Sequence, residues 1–519
     1  MRGLILAVLA LLFVAGDSGR YVPQLIANAH SALTRIAGAD SVTSTYQSNI
    51  NNAHSAYALL WAAAKQQSDD AQAVLVGVFE KAYARQFESS YVSEDSAAYW
   101  LEKLVQLNNA EAAWLLYQVL GDNGVSERLM RLAAIGEVAE AQIALAMSSD
   151  LPQVRETWLE KAAAQGYVPA QAALADWYLL HGEQTKAKPL LEATARLDMQ
   201  SAYKYGRLLW DEGEFEGAKQ HFMFASQQGH EQAEKALNVI KGYTIQTLAQ
   251  TPSFDWSTLE QTSSCLQRIQ PFATSLATII RADSLYKAYQ SDERLSSLSL
   301  CIAPPIWLTP ASLSCDKDYE KSGVLGCDIT PLAEVAKRVK FSHAVVVAEQ
   351  GKANVQNGVM YLDISDAYSV FVHELAHFAG FADEYPIGRG MAKALCNDTQ
   401  ITDFMPPNLV VDSSVWYAPA QTVNNWLAID PSAIIAKSKT CELIGKASYK
   451  PSRRVTFMEH HDSGVIPPLY LVLWEQQLHK QNIQRPISMN FFQAFHHRGK
   501  QKEAAHWLSQ YEAFISPAH

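Results

Sequence analysis

The chain has 519 residues, of which 48% are hydrophobic, so it is long and apolar enough for two or three folded domains and is not a disordered protein. Its formal net charge is −11, and its basic residues form no stripe interleaved with aromatic ones. This composition excludes nucleic acid as an expected partner.

The first residues have the pattern of a secretory signal peptide. A basic start at Arg2 precedes an apolar run over residues 4–15, and small residues at positions 15–16 offer a cleavage site. The run is too short to cross a bilayer, and no other stretch of the sequence approaches that length. We therefore predict that residues 1–16 are removed, that no transmembrane anchor remains, and that the protein is periplasmic or secreted. The alternative is an N-terminal buried helix.

A recurring phrase of small residues indicates helical repeats in the first half. Two alanines and a glycine, followed by an alanine-rich stretch that ends in leucine, begin at Ala133 and again at Ala163. A degraded copy begins at Ala193 and a further one at Ala225, and the earliest candidate lies at residues 107–113. The spacing of roughly 28–33 residues is typical of tetratricopeptide-like helix pairs. We therefore predict a helical-repeat domain over residues 21–243.

This sequence pattern resembles that of Sel1-like repeats in particular. The resemblance implies a superhelical array whose concave face binds another protein. Six aromatic side chains either line that face or pack inside the array, and we favour packing: Trp158, Trp177, Tyr178, Tyr203, Tyr205 and Trp210. The stretch 244–263, with a proline and several Ser, Thr and Gln residues, is the predicted boundary with the second half.

The cysteines are confined to the second half, which indicates a different folding unit there. They are Cys265, Cys301, Cys315, Cys327, Cys396 and Cys441. An even number in one domain of an exported chain favours disulfides. We expect sequential pairing, with Cys315–Cys327 closing a small loop. Because no CxxC pair is present, we do not expect a zinc–cysteine site.

Two short apolar runs precede the segment with the candidate metal-binding residues. Residues 343–349 and 358–364 have the length and the β-branched content of strands, and residues 350–354 between them have the composition of a turn. Ser365 or Asp366 is then expected to cap the next helix.

That helix carries the pattern His373-Glu374-x-x-His377, followed by Gly380 and Asp383. Positions four apart lie on one face of a helix, so His373 and His377 can bind one metal ion. Gly380 can end the helix in a left-handed conformation, and the chain can then bring Asp383 to the same metal. Two imidazoles, one carboxylate and an open position are typical of catalytic zinc, with Glu374 beside them as the base. The alternative is a buried cluster of polar side chains that satisfy one another.

The segment resembles the zinc-binding motif HExxHxxGxxH/D of the metzincin metallopeptidases. Its end, GFADEY at residues 380–385, also resembles a segment of the IgA-peptidase-type metallopeptidases. The resemblance implies an α+β zinc peptidase domain with a mixed sheet and an active-site helix, which we place at residues 264–480. It further implies that residues 358–364 form an edge strand to which a substrate peptide adds. The alternative is a plain buried strand.

A methionine turn under the metal is another implication of this resemblance. The candidates that follow the motif are Met391, Met405 and Met458. We favour Met458, because an apolar helix follows it, as in the family. His460 and His461 either donate a hydrogen bond near the metal or lie in a solvated loop. Tyr385 either stabilises an oxyanion or packs.

The last segment, residues 484–519, is predicted to form a helix pair. The predicted fold class is therefore an all-α solenoid followed by an α+β metzincin-like domain and terminal helices. The predicted function is that of an exported zinc metalloendopeptidase whose repeats recruit a protein. One alternative is a periplasmic repeat interaction protein with a catalytically silent peptidase-like domain. Another is a metal-dependent hydrolase that acts on a non-peptide bond.

Overall fold

The computed structural model describes residues 18–38, 46–87, 92–121, 126–259, 265–396, 405–411, 417–481 and 484–516. The predicted signal peptide, residues 1–16, lies outside these ranges. The chain divides into two compact units, one formed by Met1–Leu209 with Glu216–His230 and one formed by Trp210–Phe215 with Glu231–His519. Among the helices in these ranges, none is both long and apolar enough to cross a membrane.

The first unit is helical throughout the part that the structure describes. Its helices are α1 (Val22–Gly38), α2 (Tyr46–Ala64), α3 (Asp69–Ala84), α4 (Glu94–Val105), α5 (Ala110–Leu120), α6 (Ser126–Ile135), α7 (Ala139–Ser148), α8 (Pro152–Ala164), α9 (Val168–Leu180), α10 (Gln184–Thr194), α11 (Met199–Asp211) and α12 (Phe215–Gln227). Each helix from α1 to α9 packs against the next, and α2, α3 and α7 also contact the second helix along. Contacts that run from each helix to its near neighbours are the pattern of a helical-repeat solenoid.

The alanines of the repeated phrase lie where the helices touch. Ala133 and Ala225 are fully buried and Ala163 is 6% exposed. A Cβ atom added at Gly136 would lie 2.2 Å from the Cβ atom of Ala110, so only glycine fits this helix contact. The prediction of a helical-repeat region with Sel1-like phrasing in the first half of the chain is confirmed.

The aromatic side chains of the repeats pack within the array. Of the six, Tyr178 and Tyr205 are buried and the other four are half-buried. The Arg155 guanidinium lies over the Trp177 ring, 5.5 Å from its centroid. The packing alternative is therefore the one that the structure supports.

The second unit combines helices with three sheets. Its elements are α13 (Glu231–Gly242), β1 (Gln267–Ala273), α14 (Leu276–Gln290), β2 (Leu300–Ile302), β3 (Ile306–Trp307), β4 (Ser314–Asp316), β5 (Gly326–Asp328), α15 (Leu332–Val339), β6 (His343–Ala348), β7 (Asn354–Gln356), β8 (Val359–Asp363), α16 (Tyr368–Phe378), α17 (Arg389–Leu395), β9 (Val410–Val411), α18 (Tyr417–Ile429), β10 (Ala436–Ser438), β11 (Ser448–Lys450), α19 (Pro468–Leu478), α20 (Ile487–His497) and α21 (Gln501–Ile515).

The main sheet has the strand order β2-β1-β6-β8-β7, with β3 also beside β1. Its strands run parallel except β7, which is antiparallel to β8. Every residue of β6 and β8 is buried, as expected for strands covered on both faces. One core joins alternate side chains of these strands to α15, α20 and α21, while α14 contacts β1 and β6, and α16 contacts β7 and β8. The mixed sheet that precedes the motif helix agrees with the prediction of a sheet-containing second half.

The prediction that residues 358–364 form an edge strand is wrong. β8 lies between β6 and β7, and the edge position belongs to β7. The turn Asn357-Gly358 explains the difference, because both residues have positive φ, +42° and +79°, and Gln356 pairs with Val359 across it. Asn-Gly is the strongest short signal for such a two-residue hairpin turn. The hairpin adds β7 to the outer side of β8.

The six cysteines form three disulfides in sequential order. These are Cys265–Cys301, Cys315–Cys327 and Cys396–Cys441. The Cys315–Cys327 bond joins paired residues of the β4–β5 hairpin. The predicted pairing is therefore confirmed.

Candidate metal centre

Helix α16 carries the HExxH pattern and begins directly after β8. Its N-cap residue is Ala367, with no side-chain cap, so the prediction that Ser365 or Asp366 caps the helix is wrong. The reason is a competing turn: an oxygen of Asp363 accepts hydrogen bonds from Ser365 N and Ser365 Oγ at 2.7 and 2.6 Å. Asp366 in turn accepts from Asp363 N at 2.7 Å. The chain therefore enters the helix from a fixed turn at the end of β8.

The structure brings together the three predicted ligands. Asp383 Oδ1 lies 3.0 Å from His373 Nε2 and 3.2 Å from His377 Nε2. The two Nε2 atoms lie 3.2 Å apart. Ligand atoms around a tetrahedral zinc ion, at bond lengths of about 2.0–2.1 Å, lie about 3.3 Å from one another. The observed spacing therefore fits a zinc ion bound by these three atoms.

Both imidazoles are oriented by backbone carbonyls. His373 Nδ1 donates to Phe457 O at 2.9 Å, and His377 Nδ1 donates to Phe381 O at 2.8 Å. A carbonyl oxygen can only accept, so each Nδ1 carries a proton, and Nε2 is the ring atom that could bind a metal ion once its own proton is lost. This is the arrangement that a metal-binding histidine needs. The three side chains also contact one another, as the alternative of a buried cluster of mutually satisfied polar side chains predicts.

A glycine cap returns the chain from the helix to the site. Gly380 has φ +79°, its N–H donates to His377 O at 3.0 Å, and the N–H of Phe381 donates to Ala376 O at 3.2 Å. These two bonds form a Schellman motif, which suits glycine because the left-handed conformation has no steric cost there. Asp383 then lies beside the helix, as the sequence predicts.

The electrostatics of the cluster follow from burial and from the short contacts. Burial raises the pKa of Asp383, but the hydrogen bonds from both histidines outweigh it and hold that pKa well below its usual range. Burial lowers the pKa of His377, yet the hydrogen bond to Asp383 raises it overall, to about 9. A proton and a metal ion compete for the same Nε2 lone pair, so metal binding here requires loss of that proton.

Glu374 is buried beside the two histidines. Its residue is only 7% exposed. Burial raises the pKa of its carboxyl group, the two histidines oppose that rise, and the negative charges of Asp383 and Asp366 add to it. A carboxyl group with a raised pKa can hold a proton in one step and release it in the next.

Tyr385 belongs to the site through its ring and its hydroxyl group. The ring stacks on His373, with centroids 6.3 Å apart and an interplanar angle of 19°. Burial and a hydrogen bond to Asp383 raise the pKa of the hydroxyl group. The residue is 39% exposed, so it forms part of the open rim of the site.

Sequence reasoning missed a buried ion pair next to Asp383. Glu384 is fully buried and accepts hydrogen bonds from Lys450 Nζ at 3.0 Å, Asn408 Nδ2 at 3.0 Å and Tyr470 OH at 2.6 Å. Thr456 also donates to it. The available signal was Glu384 itself, a second acidic residue directly after Asp383 with apolar residues on both sides of the pair.

The methionine candidates differ in position. Met458 is fully buried, and its carbonyl oxygen accepts from Glu384 N at 3.0 Å. Its neighbour Phe457 supplies the carbonyl that orients His373. Met391 is 63% exposed on α17, and Met405 is half-buried. Of the three candidates, Met458 is therefore the one whose segment contacts His373 and Glu384, beside the predicted ligand Asp383.

The pair His460 and His461 belongs to a neighbouring cluster. His461 Nδ1 lies 2.9 Å from Asp462 Oδ1, and the same carboxylate accepts from Ser369 Oγ at 2.7 Å. His460 is exposed. Ser369 connects this turn to the first turn of α16, so the pair lies next to His373, His377 and Asp383 and not among them.

The comparisons with known proteins concern the repeats. No protein-family model and no curated protein matches the chain. The structure of c5321, a protective antigen of uropathogenic Escherichia coli strains with an SLR fold, has a TM-score of 0.31 at 19% identity, over 37% of this chain and 45% of that one. The match thus spans less than half of that protein.

Two further structures are similar over part of the chain. The Sel1 repeat protein from Oxalobacter formigenes has a TM-score of 0.29 at 18% identity, over 38% of this chain and 89% of that one. The MamA protein has a TM-score of 0.23 at 20% identity, over 31% of this chain and 94% of that one. Likeness at this level says nothing about function.

Proposed function

We propose that this protein is an exported, zinc-dependent metallopeptidase of metzincin type, in which the helical repeats recruit a protein. The observation that carries the proposal is the convergence of His373 Nε2, His377 Nε2 and Asp383 Oδ1 at 3.0–3.2 Å from one another. A zinc ion bound by these atoms would lower the pKa of a water molecule and polarise a substrate carbonyl.

The residues around the ligands supply the remaining steps. Glu374 accepts a proton from the attacking water at its carboxylate and returns it to the amine of the leaving peptide segment. Its burial supports this role, because a raised pKa allows the carboxyl group to carry the proton between the two steps. Tyr385 holds Asp383 through its hydroxyl group and His373 through ring stacking.

A peptide substrate is favoured over other hydrolysable compounds by the sheet edge. β7 is the outer strand of the main sheet and contacts α16. An extended peptide can add to such an edge through main-chain hydrogen bonds. We therefore propose β7, Asn354–Gln356, as the substrate-binding edge, because residues 358–364 do not lie at the edge of the sheet.

The repeat unit supports a role in protein interaction that does not depend on catalysis. Helical-repeat arrays of this kind present extended surfaces to other proteins. If the proposed metal site has no catalytic activity, the protein is the periplasmic repeat interaction protein that the sequence analysis gives as the alternative. Export, to the periplasm or beyond the cell, is supported by the three disulfides, which persist in oxidising compartments.

The test measures zinc and hydrolysis on the same full-length protein. We expect about one zinc per chain by elemental mass spectrometry, loss of the metal in His377→Ala, and cleavage of denatured proteins by the wild type. Glu374→Gln should keep zinc while hydrolysis collapses, and Glu349→Gln, at an exposed position, serves as the matched control. A wild-type protein that takes up no zinc would refute the metal site. A zinc-loaded protein that cleaves nothing would favour the interaction role.

A further inference from the structure

One of the three disulfides includes an exposed residue. Of the six cysteines, all of which the structure describes, only Cys315 is exposed, and each of the other five is at most 6% exposed. Its partner Cys327 is 3% exposed. Thiol–disulfide exchange requires that a thiolate reach one of the two sulfur atoms, so exposure decides which disulfide reacts first. The Cys315–Cys327 bond is therefore the one that a reductant can reach in the folded protein.

This disulfide stabilises a very short hairpin. Strands β4 and β5 pair over three residues each, and the disulfide joins the middle pair. All three residues of β4 are exposed, whereas Gly326 and Cys327 of β5 are buried. A two-stranded hairpin by itself is only marginally stable in water. If the disulfide is reduced, this short ladder alone keeps β4 on β5, and water gains access to the buried side of the hairpin.

Strand β5 and the residue before it contact the edge of the main sheet. Asn354 Nδ2 of β7 donates to Leu325 O at 2.8 Å, and a backbone hydrogen bond joins Cys327 to the hydroxyl group of Tyr361. Asn354 and Tyr361 are directly paired across β7 and β8. Leu325 is fully buried, and a Cβ atom added at Gly351 would lie 2.7 Å from its Cβ atom. The hairpin therefore fixes the beginning of β7.

The other end of β7 has separate contacts. Asn490 Nδ2 of α20 donates to Gln356 O at 3.2 Å, and Asn357 Nδ2 donates to Gln493 Oε1 at 2.8 Å. These contacts do not involve the hairpin. Loss of the hairpin contacts should therefore loosen residues 351–355 more than the turn that follows them.

We propose that the Cys315–Cys327 disulfide is a redox switch for strand β7 that responds to a dithiol reductant. A thiolate of the reductant attacks the sulfur of Cys315, the sulfur of Cys327 leaves and takes up a proton, and the second thiol of the reductant then displaces Cys315. Two electrons and two protons pass to the protein, and the reductant becomes a disulfide. Reduction loosens the beginning of β7 and weakens the binding of a peptide there. Only the effect on peptide binding rests on the proposed function.

The first test measures reduction and hydrogen–deuterium exchange on the full-length protein. A chelator is present in every sample, because thiols bind zinc. Limited treatment with dithiothreitol, followed by alkylation and mass spectrometry, should reduce Cys315 and Cys327 about tenfold faster than the other four cysteines. Amides of residues 351–355 should then exchange about tenfold faster, while those of β6 should exchange as before. The oxidised form of dithiothreitol is the matched control and should change neither.

The second test measures peptide cleavage without thiols. Cys315→Ala/Cys327→Ala lacks the disulfide permanently, so it should show the faster exchange without any reductant and no further change with it. Its KM for a peptide substrate should be about threefold above that of the wild type or higher, because the beginning of β7 must be ordered before a peptide can pair with it. Its kcat and its zinc content should equal those of the wild type, since neither cysteine contacts the proposed ligands.

Equal rates of reduction of the three disulfides would overturn the switch, and so would unchanged exchange of residues 351–355 after reduction of Cys315–Cys327. Faster exchange with a wild-type KM in the variant would overturn the effect on peptide binding. If the wild type cleaves no peptide, the proposed function fails and the effect on peptide binding fails with it, while the exchange experiment still decides the switch. If the variant does not fold, judged by its circular dichroism, reduction of the wild-type protein decides the same question.

Discussion

The ion pair between Glu384 and Lys450 allows a test of what stabilises the segment that contains Asp383. Both side chains are buried, with 0% and 3% of their surfaces exposed. Lys450 also donates to the carbonyl of Arg454 at 3.0 Å and to Glu459. We consider Lys450→Met, because methionine has a similar length and cannot donate a hydrogen bond.

The expected cost follows from the charge that remains. Removing one partner of a buried pair costs about 3–5 kcal/mol, because the other charge is left in a low-dielectric site. Glu384 keeps the hydrogen bonds from Asn408 and Tyr470, at 3.0 and 2.6 Å, so the lower end of this range applies. A loss of about 3 kcal/mol raises the population of the locally open state about a hundredfold.

Hydrogen–deuterium exchange of the full-length protein, followed by mass spectrometry, measures this opening directly. The experiment is done with a chelator present, so that zinc does not restore stability by binding. Peptides that contain β11 and residues 380–387 should exchange about a hundredfold faster in Lys450→Met. Lys437→Met, at an exposed position of β10, is the matched control. Wild-type exchange rates in Lys450→Met would show that the pair does not stabilise the loop.

Three further predictions concern pH and oxidation. Because the pKa of His377 is raised to about 9, zinc must displace a proton below that pH, and its apparent affinity should rise by up to about tenfold per pH unit from 6 to 8 in a chelator-competition titration. Burial lowers the pKa of His343 to about 3, so between pH 6.5 and 3 only the unfolded state binds this proton. The unfolding free energy should therefore fall by about 2 kcal/mol from pH 6.5 to 5 in urea titrations, and His343→Leu should lose this contribution. Replacing Cys396 and Cys441 by alanine should weaken zinc binding about tenfold, because the neighbouring Thr440 Oγ1 bonds to the backbone carbonyl of a ligand at 2.6 Å. Removal of the β4–β5 disulfide is the control and should leave zinc affinity unchanged.

The parts of the site that the sequence predicts are local in the chain. His373 and His377 are one helical turn apart, and Asp383 follows within one glycine-capped return. The repeats could be predicted for the same reason, because each repeat packs against its near neighbours along the chain. Each disulfide joins two successive cysteines of the sequence, at separations of 36, 12 and 45 residues. Short-range geometry therefore accounts for most of what could be predicted.

The parts that the sequence did not predict depend on distant contacts or on competing local ones. Glu384 contacts Lys450 and Tyr470, which lie 66 and 86 residues further along the chain, and no periodic pattern in the sequence predicts such contacts. The edge strand is a different kind of error. The sequence contains the Asn357-Gly358 turn signal, from which a hairpin could have been predicted. This hairpin adds β7 outside β8, so β8 is not the edge strand.

In the proposed metal centre, the position of Asp383 makes zinc binding depend on the folding of the segment from α16 to Met458. Helix α16 can place two histidines by itself, but the position of Asp383 is set by the segment that follows it. Thr440 Oγ1 holds the Asp383 carbonyl at 2.6 Å, and Met458 O accepts from Glu384 N at 3.0 Å. Thr440 lies 57 residues after Asp383, and Met458 lies 74 residues after Glu384. A peptide that contains the HExxH helix alone therefore lacks what orients the carboxylate, so zinc affinity measures the folding of the segment from α16 to Met458 as well as the identity of the ligands.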